Sequence, residues 1–328
     1  MVRATVRNGS ASAYDRSVPL EIGDVVAAQA AIGTRLHRTP VFSSATLGER
    51  VFLKAELFQR TGSFKPRGVL NSLAGLTPEE RERGVIAASA GNHAQALAYC
   101  AALEGLDALL VMWKTASPAK IAATRGYGAA VDLEAEGPSE VFARLEELRA
   151  ETGRTFIHPF DGPLTLAGQG TVGLEIAEDL PDVDVVVVPV GGGGLLAGIA
   201  TALTGVRVVG VEPSTSQAMT AALAVGRSVP VDARSIADGL NAPFAGDLPL
   251  EIVRDLGLEI VLVEEDEIAS ATRFLYERAK LACEAAGAAA VAALMTGKAR
   301  VEQDETVVCV VSGGNIAAQT AAAILARQ

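Results

Sequence analysis

The sequence predicts an α/β fold with open, largely parallel sheets, and three observations predict it. Apolar runs of strand length alternate with helical stretches along the chain. Several of those runs are continuously apolar rather than alternating, as strands buried on both faces require. Hydrophobic residues make up 49% of the 328 but aromatic ones only 4%, so the core must be built from Val, Ala, Leu and Ile. A chain of this length calls for one large or two medium domains.

Taken in order, Met1 to Arg16 carries Arg3, Arg7 and Arg16 but no apolar run, so it reads as a loose tail and not as a secretory leader. The expected strands are Val51–Ala55, Val85–Ser89, Ala108–Trp113, Ala129–Leu133, Val185–Val190, Arg207–Val211, Ile260–Val263 and Val307–Val311. Helix starts are signalled between them. Thr77-Pro78-Glu79-Glu80 is a capping box with proline at the first helical position, and Ser117-Pro118 repeats the cap-and-proline device. Glu134–Glu151 is charge-rich and reads as a solvated helix face. There is no internal repeat and no low-complexity linker, and a break is plausible near Thr155–Pro159.

Charge and composition exclude several function classes. A net charge of −11 repels phosphate backbones and argues against a nucleic-acid partner. Cys100, Cys283 and Cys309 are far apart and odd in number, which predicts free thiols in a reducing cytoplasm. His37, His93 and His158 lack metal-ligand spacing. Val185–Val206 and Thr306–Ala326 are uncharged and long enough to span a bilayer. Each is interrupted by glycines, so strand, loop and helix explain them better than a membrane span.

Four loops carry the chemistry. In Val185–Ala200 a hydrophobic strand runs into Gly191, Gly192, Gly193 and Gly194 and then a small-residue helix. Such a loop turns backbone N–H groups inward and sets the positive end of a helix on the same spot, which makes a phosphate cradle. The cradle does not say which phosphate. Gly192-x-Gly194-x-x-Ala197 also satisfies a dinucleotide fingerprint, with Glu212 spaced as a ribose-binding acid, so a nicotinamide oxidoreductase competes here. The second loop, Gly62-Ser63-Phe64-Lys65-Pro66-Arg67-Gly68, places a lysine beside an apolar neighbour, where an amine can be neutral and form an imine. The third, Ser89-Ala90-Gly91-Asn92-His93, offers backbone donors at a helix start, suited to a carboxylate. The fourth is Ser312-Gly313-Gly314-Asn315, again after a strand.

Together with His158-Pro159-Phe160-Asp161, Gly168-Gln169-Gly170-Thr171, Ile236-Ala237-Asp238-Gly239 and Lys280-Leu281, these motifs resemble the fold-type II pyridoxal-phosphate enzymes, specifically the threonine dehydratase and serine racemase group. The resemblance runs from Thr39-Pro40 to Asn315, most of the chain. It implies a fold like the tryptophan synthase β chain. A large cofactor domain would comprise 1–55 and 158–328, and a small substrate-loop domain 56–157, with no regulatory domain. It implies pyridoxal 5'-phosphate as cofactor, held by Lys65 as a Schiff base, and a homo-oligomer. By the same resemblance, Gly191 to Gly194 hold the cofactor phosphate and Phe64 is among the cofactor-binding residues. Asn92 bonds the ring 3-hydroxyl, Ser312 faces the ring nitrogen, and Gly239 and Glu284 line the surroundings. Ser89, Ala90, Gly91, Asn92 and His93 border the substrate carboxylate. The implied reaction is loss of water and ammonia from a small 3-hydroxy amino acid such as threonine or serine.

The chain departs from the family pattern in places. Racemases carry serine where this chain has Ala90, which has no proton to give. Many relatives bind a divalent cation near the residues after Glu212, using a second carboxylate six positions on. Here that position is Ala218, so no metal is expected and Glu212 is at most a weak candidate. Ala285 stands where relatives usually have proline. Among rival reactions, β-replacement enzymes usually show an aspartate directly after the Schiff-base lysine, where this chain has Pro66-Arg67. Substrates such as phenylserine, 3-hydroxyaspartate or a hydroxyectoine-derived compound stay open.

Overall fold

The computed structural model describes residues 20–137 and 140–326, so the expected tail lies outside the described residues. Among the described residues, ten strands form two sheets. In chain order they are β1 (Val41–Ser43), β2 (Val51–Ala55), β3 (Val85–Ala88), β4 (Ala108–Trp113), β5 (Ala130–Ala135), β6 (Thr155–Phe156), β7 (Val185–Pro189), β8 (Arg207–Pro213), β9 (Glu259–Val263) and β10 (Val307–Val311). The first sheet has the order β1-β2-β10-β7-β8-β9 and the second β5-β4-β3-β6. All pairings are parallel except β1 with β2.

The continuous apolar runs are the buried strands. β3, β7 and β10 are buried at every position. β7 and β10 lie at the centre of the six-stranded sheet, with Val185 opposite Val307 and Val187 opposite Cys309. The two uncharged stretches are therefore strand, loop and helix: β7 leads to the helix Gly194–Ala202 and β10 to the helix Ala318–Leu325. No helix among the described residues is long and apolar enough to cross a membrane.

Two short strands escape the sequence reading. β1 is three residues on the sheet edge, and β6 is two residues paired with β3 through Thr155 and Phe156. Neither is long enough to show a period, and each exists only because a neighbouring strand presents free backbone groups. The capping box at Thr77 forms as expected, Thr77 Oγ1 accepting from Glu80 N and Glu80 Oε2 from Thr77 N. The Ser117 side chain makes no cap bond, although Pro118 does open its helix.

Gly168-Gln169-Gly170-Thr171 lies mid-way along the helix Pro163–Asp179, which organises the rest. A Cβ on Gly168 would lie 2.3 Å from Arg67 O, and one on Gly170 2.6 Å from Gly198 O. The two glycines let this helix touch the backbones of both Lys65–Ala74 and Gly194–Ala202, so one helix fixes the lysine loop relative to the glycine loop. Arg67, two residues beyond Lys65, locks the same arrangement. Its guanidinium forks onto Glu56 (2.8 and 2.9 Å) and onto Glu175 (2.7 and 2.9 Å). Lys54 on β2 reaches the same Glu175 at 2.6 Å and Thr39 O at 2.8 Å.

Candidate active site

The chain leaves β7 toward β8 and β9 on one side and returns with β10 on the other. The crevice at the carboxyl ends of β7 and β10 is thus a topological switch point, where α/β sheets bind ligands. The loop after β7 is Val190–Gly193 and the loop after β10 begins at Ser312. The loop after β3, from Ser89 to Gly91, comes to the same place from the second sheet. Its helix Asn92–Leu103 starts with Asn92, whose Nδ2 donates to Glu284 Oε1 at 2.6 Å.

Three of the four positions in the glycine loop admit only glycine. A Cβ on Gly192 would lie 2.2 Å from the Phe160 ring and one on Gly194 2.5 Å from Phe160 O. Gly193 has φ +94° and its Cβ would lie 2.4 Å from Met219 Cε. One side of the loop is therefore packed shut, and the helix Gly194–Ala202 begins there with free N–H donors.

Lys65 opens the helix Lys65–Ala74, with Pro66 in the first turn where a missing N–H costs nothing. Phe64 N bonds Ser312 O at 3.2 Å, and Ser63 forms a bridge with Gly313, so the lysine loop is tied to the end of β10. Lys65 Nζ donates to Pro159 O at 2.6 Å and lies 4.9 Å from the centre of the Phe64 ring. Burial lowers its pKa from 10.5 to about 8, only partly opposed by the Glu284 charge. An amine in this condition supplies a sizeable neutral fraction near neutrality. Pro159 is held in turn by His158, whose Nδ1 accepts from Asp161 N at 2.8 Å and Phe160 N at 3.3 Å. Burial and the Lys65 charge lower the His158 pKa to about 4, with Asp161 opposing, so the ring stays neutral and can accept.

Glu284, Gly239, Asn92 and Gly313 converge. A Cβ on Gly239 would lie 3.6 Å from Glu284 Oε1 and 4.0 Å from Asn92 Nδ2, and one on Gly313 2.4 Å from Glu284 Oε1. Burial and the Asp238 charge raise Glu284 to about 7, against the Asn92 bond and the Lys120 and Lys65 charges. Lys120 bonds Asp238 at 2.5 Å, joining the helix Pro118–Gly126 to the segment beside Gly239.

Five buried side-chain polar atoms among the described residues lack a partner, and four of them belong here: Thr61 Oγ1, Ser63 Oγ, His93 Nδ1 and Gln169 Oε1. Buried polar groups are ordinarily satisfied, so a cluster of orphans beside a glycine loop and a lysine of lowered pKa fits the seat of a polar ligand.

The comparisons with known proteins name that ligand. Residues 27–313 match the family described as pyridoxal-phosphate dependent enzyme. The chain belongs to this family. It is 45% identical over 306 residues to the L-threonine ammonia-lyase of Thermotoga maritima, covering 90% of this chain and 76% of the relative. It is 44% identical to the catabolic L-threonine dehydratase TdcB of Escherichia coli K12, covering 92% and 94%. Among solved structures, maize serine racemase superposes with a TM-score of 0.87 at 34% identity, covering 92% of this chain and 96% of that one. The processed form of threonine deaminase isoform 2 from Solanum lycopersicum gives 0.86 at 33%, covering 93% and 87%.

The residues present fit pyridoxal phosphate: an amine for its aldehyde, a cradle for its phosphate, and orphaned polar atoms between them. The structure also refines some expectations. His93 Nε2 faces Ile157 O at 2.8 Å, so the proton sits on Nε2 and the ring offers no side-chain donor to a carboxylate. Burial and Lys65 lower its pKa to about 3, so it is neutral. Ser89 Oγ accepts from Gly91 N at 3.1 Å, and Ala90 is buried. Both Glu212 oxygens are engaged at the start of the helix Ala218–Val225, by Met219 N (2.7 Å), Thr220 N (2.9 Å) and Thr220 Oγ1 (2.6 Å). Glu212 is therefore a helix cap, which answers for the residue that the dinucleotide reading needed on a ribose. Sequence reasoning missed the roles of Pro159 O, Ser63 and Asn315. It also missed the Arg67 cluster, whose one signal was a lysine inside an apolar strand.

Proposed function

We propose that this enzyme deaminates a small 3-hydroxy amino acid, L-threonine or L-serine, by loss and regain of one water, to a 2-oxo acid and ammonia. The observation that carries the reading is the Lys65 amine, tuned to about 8 and aimed at Pro159 O beside the glycine cradle. Relatives named for threonine deamination share 44–45% of their residues with it over most of its length.

Gly191 to Gly194 would hold the cofactor phosphate, Phe64 and Gly239 would flank its ring, and Asn92 would donate to its 3-oxygen. Ser312 would face the ring nitrogen with a neutral hydroxyl. When bound, the cofactor supplies an electron sink for the electrons left at Cα. Lys65 would hold the cofactor through its aldehyde, and its amine would take the Cα proton as general base. The backbone donors of Ser89 to His93 at the start of their helix receive the substrate carboxylate and fix the Cα–H bond toward Lys65. Loss of the β-hydroxyl as water, followed by uptake of one water, gives the 2-oxo acid and ammonia in equal amounts. Buried Ala90 carries no proton for the opposite face, which supports elimination over racemisation. The same reading has the enzyme working as a homo-oligomer in a reducing cytoplasm, consistent with Cys100, Cys283 and Cys309 being buried and unpaired.

The test is an assay of purified holoenzyme on L-threonine, L-serine, phenylserine and 3-hydroxyaspartate with no second substrate. Ammonia and 2-oxo acid should appear in equal amounts, and Lys65→Ala should lower the rate by roughly 10³ or more. Product formation only when a nucleophilic second substrate is added would transfer the enzyme to the β-replacement class. Rapid conversion of L- to D-serine would overturn the assignment to Ala90.

A further inference from the structure

We propose that Asn315 is a positioning residue that fixes which atom Asn92 presents to the cofactor; this rests on the reading that Asn92 faces the cofactor. Asn315 Nδ2 donates to Thr61 O at 2.6 Å and to Asn92 Oδ1 at 2.9 Å, and Asn92 Nδ2 donates to Glu284 Oε1 at 2.6 Å. A backbone carbonyl can only accept, so the Asn315 atom against Thr61 O must be its nitrogen, whatever the starting assignment of the amide. Both hydrogens of that nitrogen are then used. The Asn92 atom facing it must be the oxygen, and the Asn92 nitrogen is turned to Glu284 with one hydrogen left for a ligand.

The arrangement has a competitor. Glu284 is raised to about 7, so near neutrality it spends part of its time protonated. A protonated Glu284 could donate to Asn92 if the Asn92 amide turned over, which would point its oxygen at the carboxyl and withdraw the donor. With Asn315 in place that turn sets two amide nitrogens against each other, so Asn315 excludes it. The Asn315 side chain is itself held closely: a Cβ on Gly62 would lie 2.5 Å from Asn315 Oδ1, and Gly314 N bonds Gly62 O at 2.9 Å.

A purely local role is the alternative. Thr61 has φ +61°, a strained value for a β-branched residue, in the turn leading to Lys65. The Asn315 bond to Thr61 O could act only by holding that turn. Glycine accepts this conformation freely, so Thr61→Gly should repair a defect that lies in the turn alone.

The test reads the pH midpoint of the visible absorbance band of purified holoenzyme. Asn92→Ala should raise the midpoint, by about one unit, because loss of a donor leaves more charge on the cofactor oxygen beside the titrating nitrogen. Asn315→Ala should move it in the same direction by at least half as much. The double variant Asn92→Ala/Asn315→Ala should move it no further than Asn92→Ala alone. Thr61→Gly added to Asn315→Ala should leave the shift in place. Asn315→Leu, of similar size and uncharged but without N–H donors, gives the same reading should the alanine variant not fold. A wild-type midpoint in the Asn315 variants, with Asn92→Ala shifted, overturns the proposal, and so does recovery by Thr61→Gly. An unmoved midpoint in Asn92→Ala overturns the reading of Asn92 and the proposal with it.

Discussion

Lys65 and Arg67 stand two residues apart in one motif, and their surroundings are opposite in kind. Arg67 is almost wholly buried, and two carboxylates and two threonines saturate its guanidinium. Burial alone would lower its pKa, but Glu56 and Glu175 more than offset that and hold it above its ordinary value. Lys65 has one carbonyl and no carboxylate within bonding distance, so burial wins and its pKa falls. Around it Ser63, His93 and Gln169 each leave a buried polar atom unpaired. The difference separates a closed polar cluster that holds the fold from one with unpaired polar atoms that suit the proposed binding site. A polar network that serves structure is closed, and one that serves binding is left open at the ligand's position.

Breaking the closed side should have the largest effect. Arg67→Met leaves Glu56 without a cation and Glu175 with Lys54 alone, and should cost about 3–5 kcal/mol of stability. Urea unfolding would measure it, and a loss under about 1 kcal/mol would show that the cluster is not the clamp described. The open side should answer with opposite signs. Ser63→Ala and Gln169→Leu each remove an orphaned polar group, so the apoprotein should be unchanged or more stable by about 1–2 kcal/mol. Both variants should nevertheless bind pyridoxal phosphate more weakly, as titration of cofactor fluorescence would read. A destabilised apoprotein with wild-type cofactor affinity would reverse the comparison.

The smallest effect sharpens the electrostatics. Capture of the cofactor aldehyde needs the neutral amine, so the capture rate of the apoenzyme should rise with pH and level off above about 8, rather than climbing toward the ordinary 10.5. Glu284 raises the Lys65 pKa, so Glu284→Gln should move that midpoint to lower pH. Stopped-flow absorbance on both sides of that midpoint would follow both, and a midpoint that rises in Glu284→Gln would contradict the assigned sign.

Much of the site could be read locally. The loops at Gly191, Ser89 and Ser312 each follow an apolar run and precede a helix or a turn, and the lysine motif is contiguous. Such features depend on strand burial, helix starts and glycine's freedom, which neighbours in sequence decide. The expected helix box at Thr77 formed for the same reason. The edge strands β1 and β6 were illegible because a pairing partner, not a pattern, creates them.

The sequence by itself determined the α/β alternation, the glycine loop after β7 and the lysine motif on which the proposed function rests, because each is a property of a few adjacent residues. Only the tertiary structure decided that Arg67 meets Glu175 across 108 positions, that Asn315 meets Asn92 across 223, and that Glu212 is spent on a helix end. Those bonds depend on how strands, loops and helices dock, and docking is fixed by the packing of the whole core.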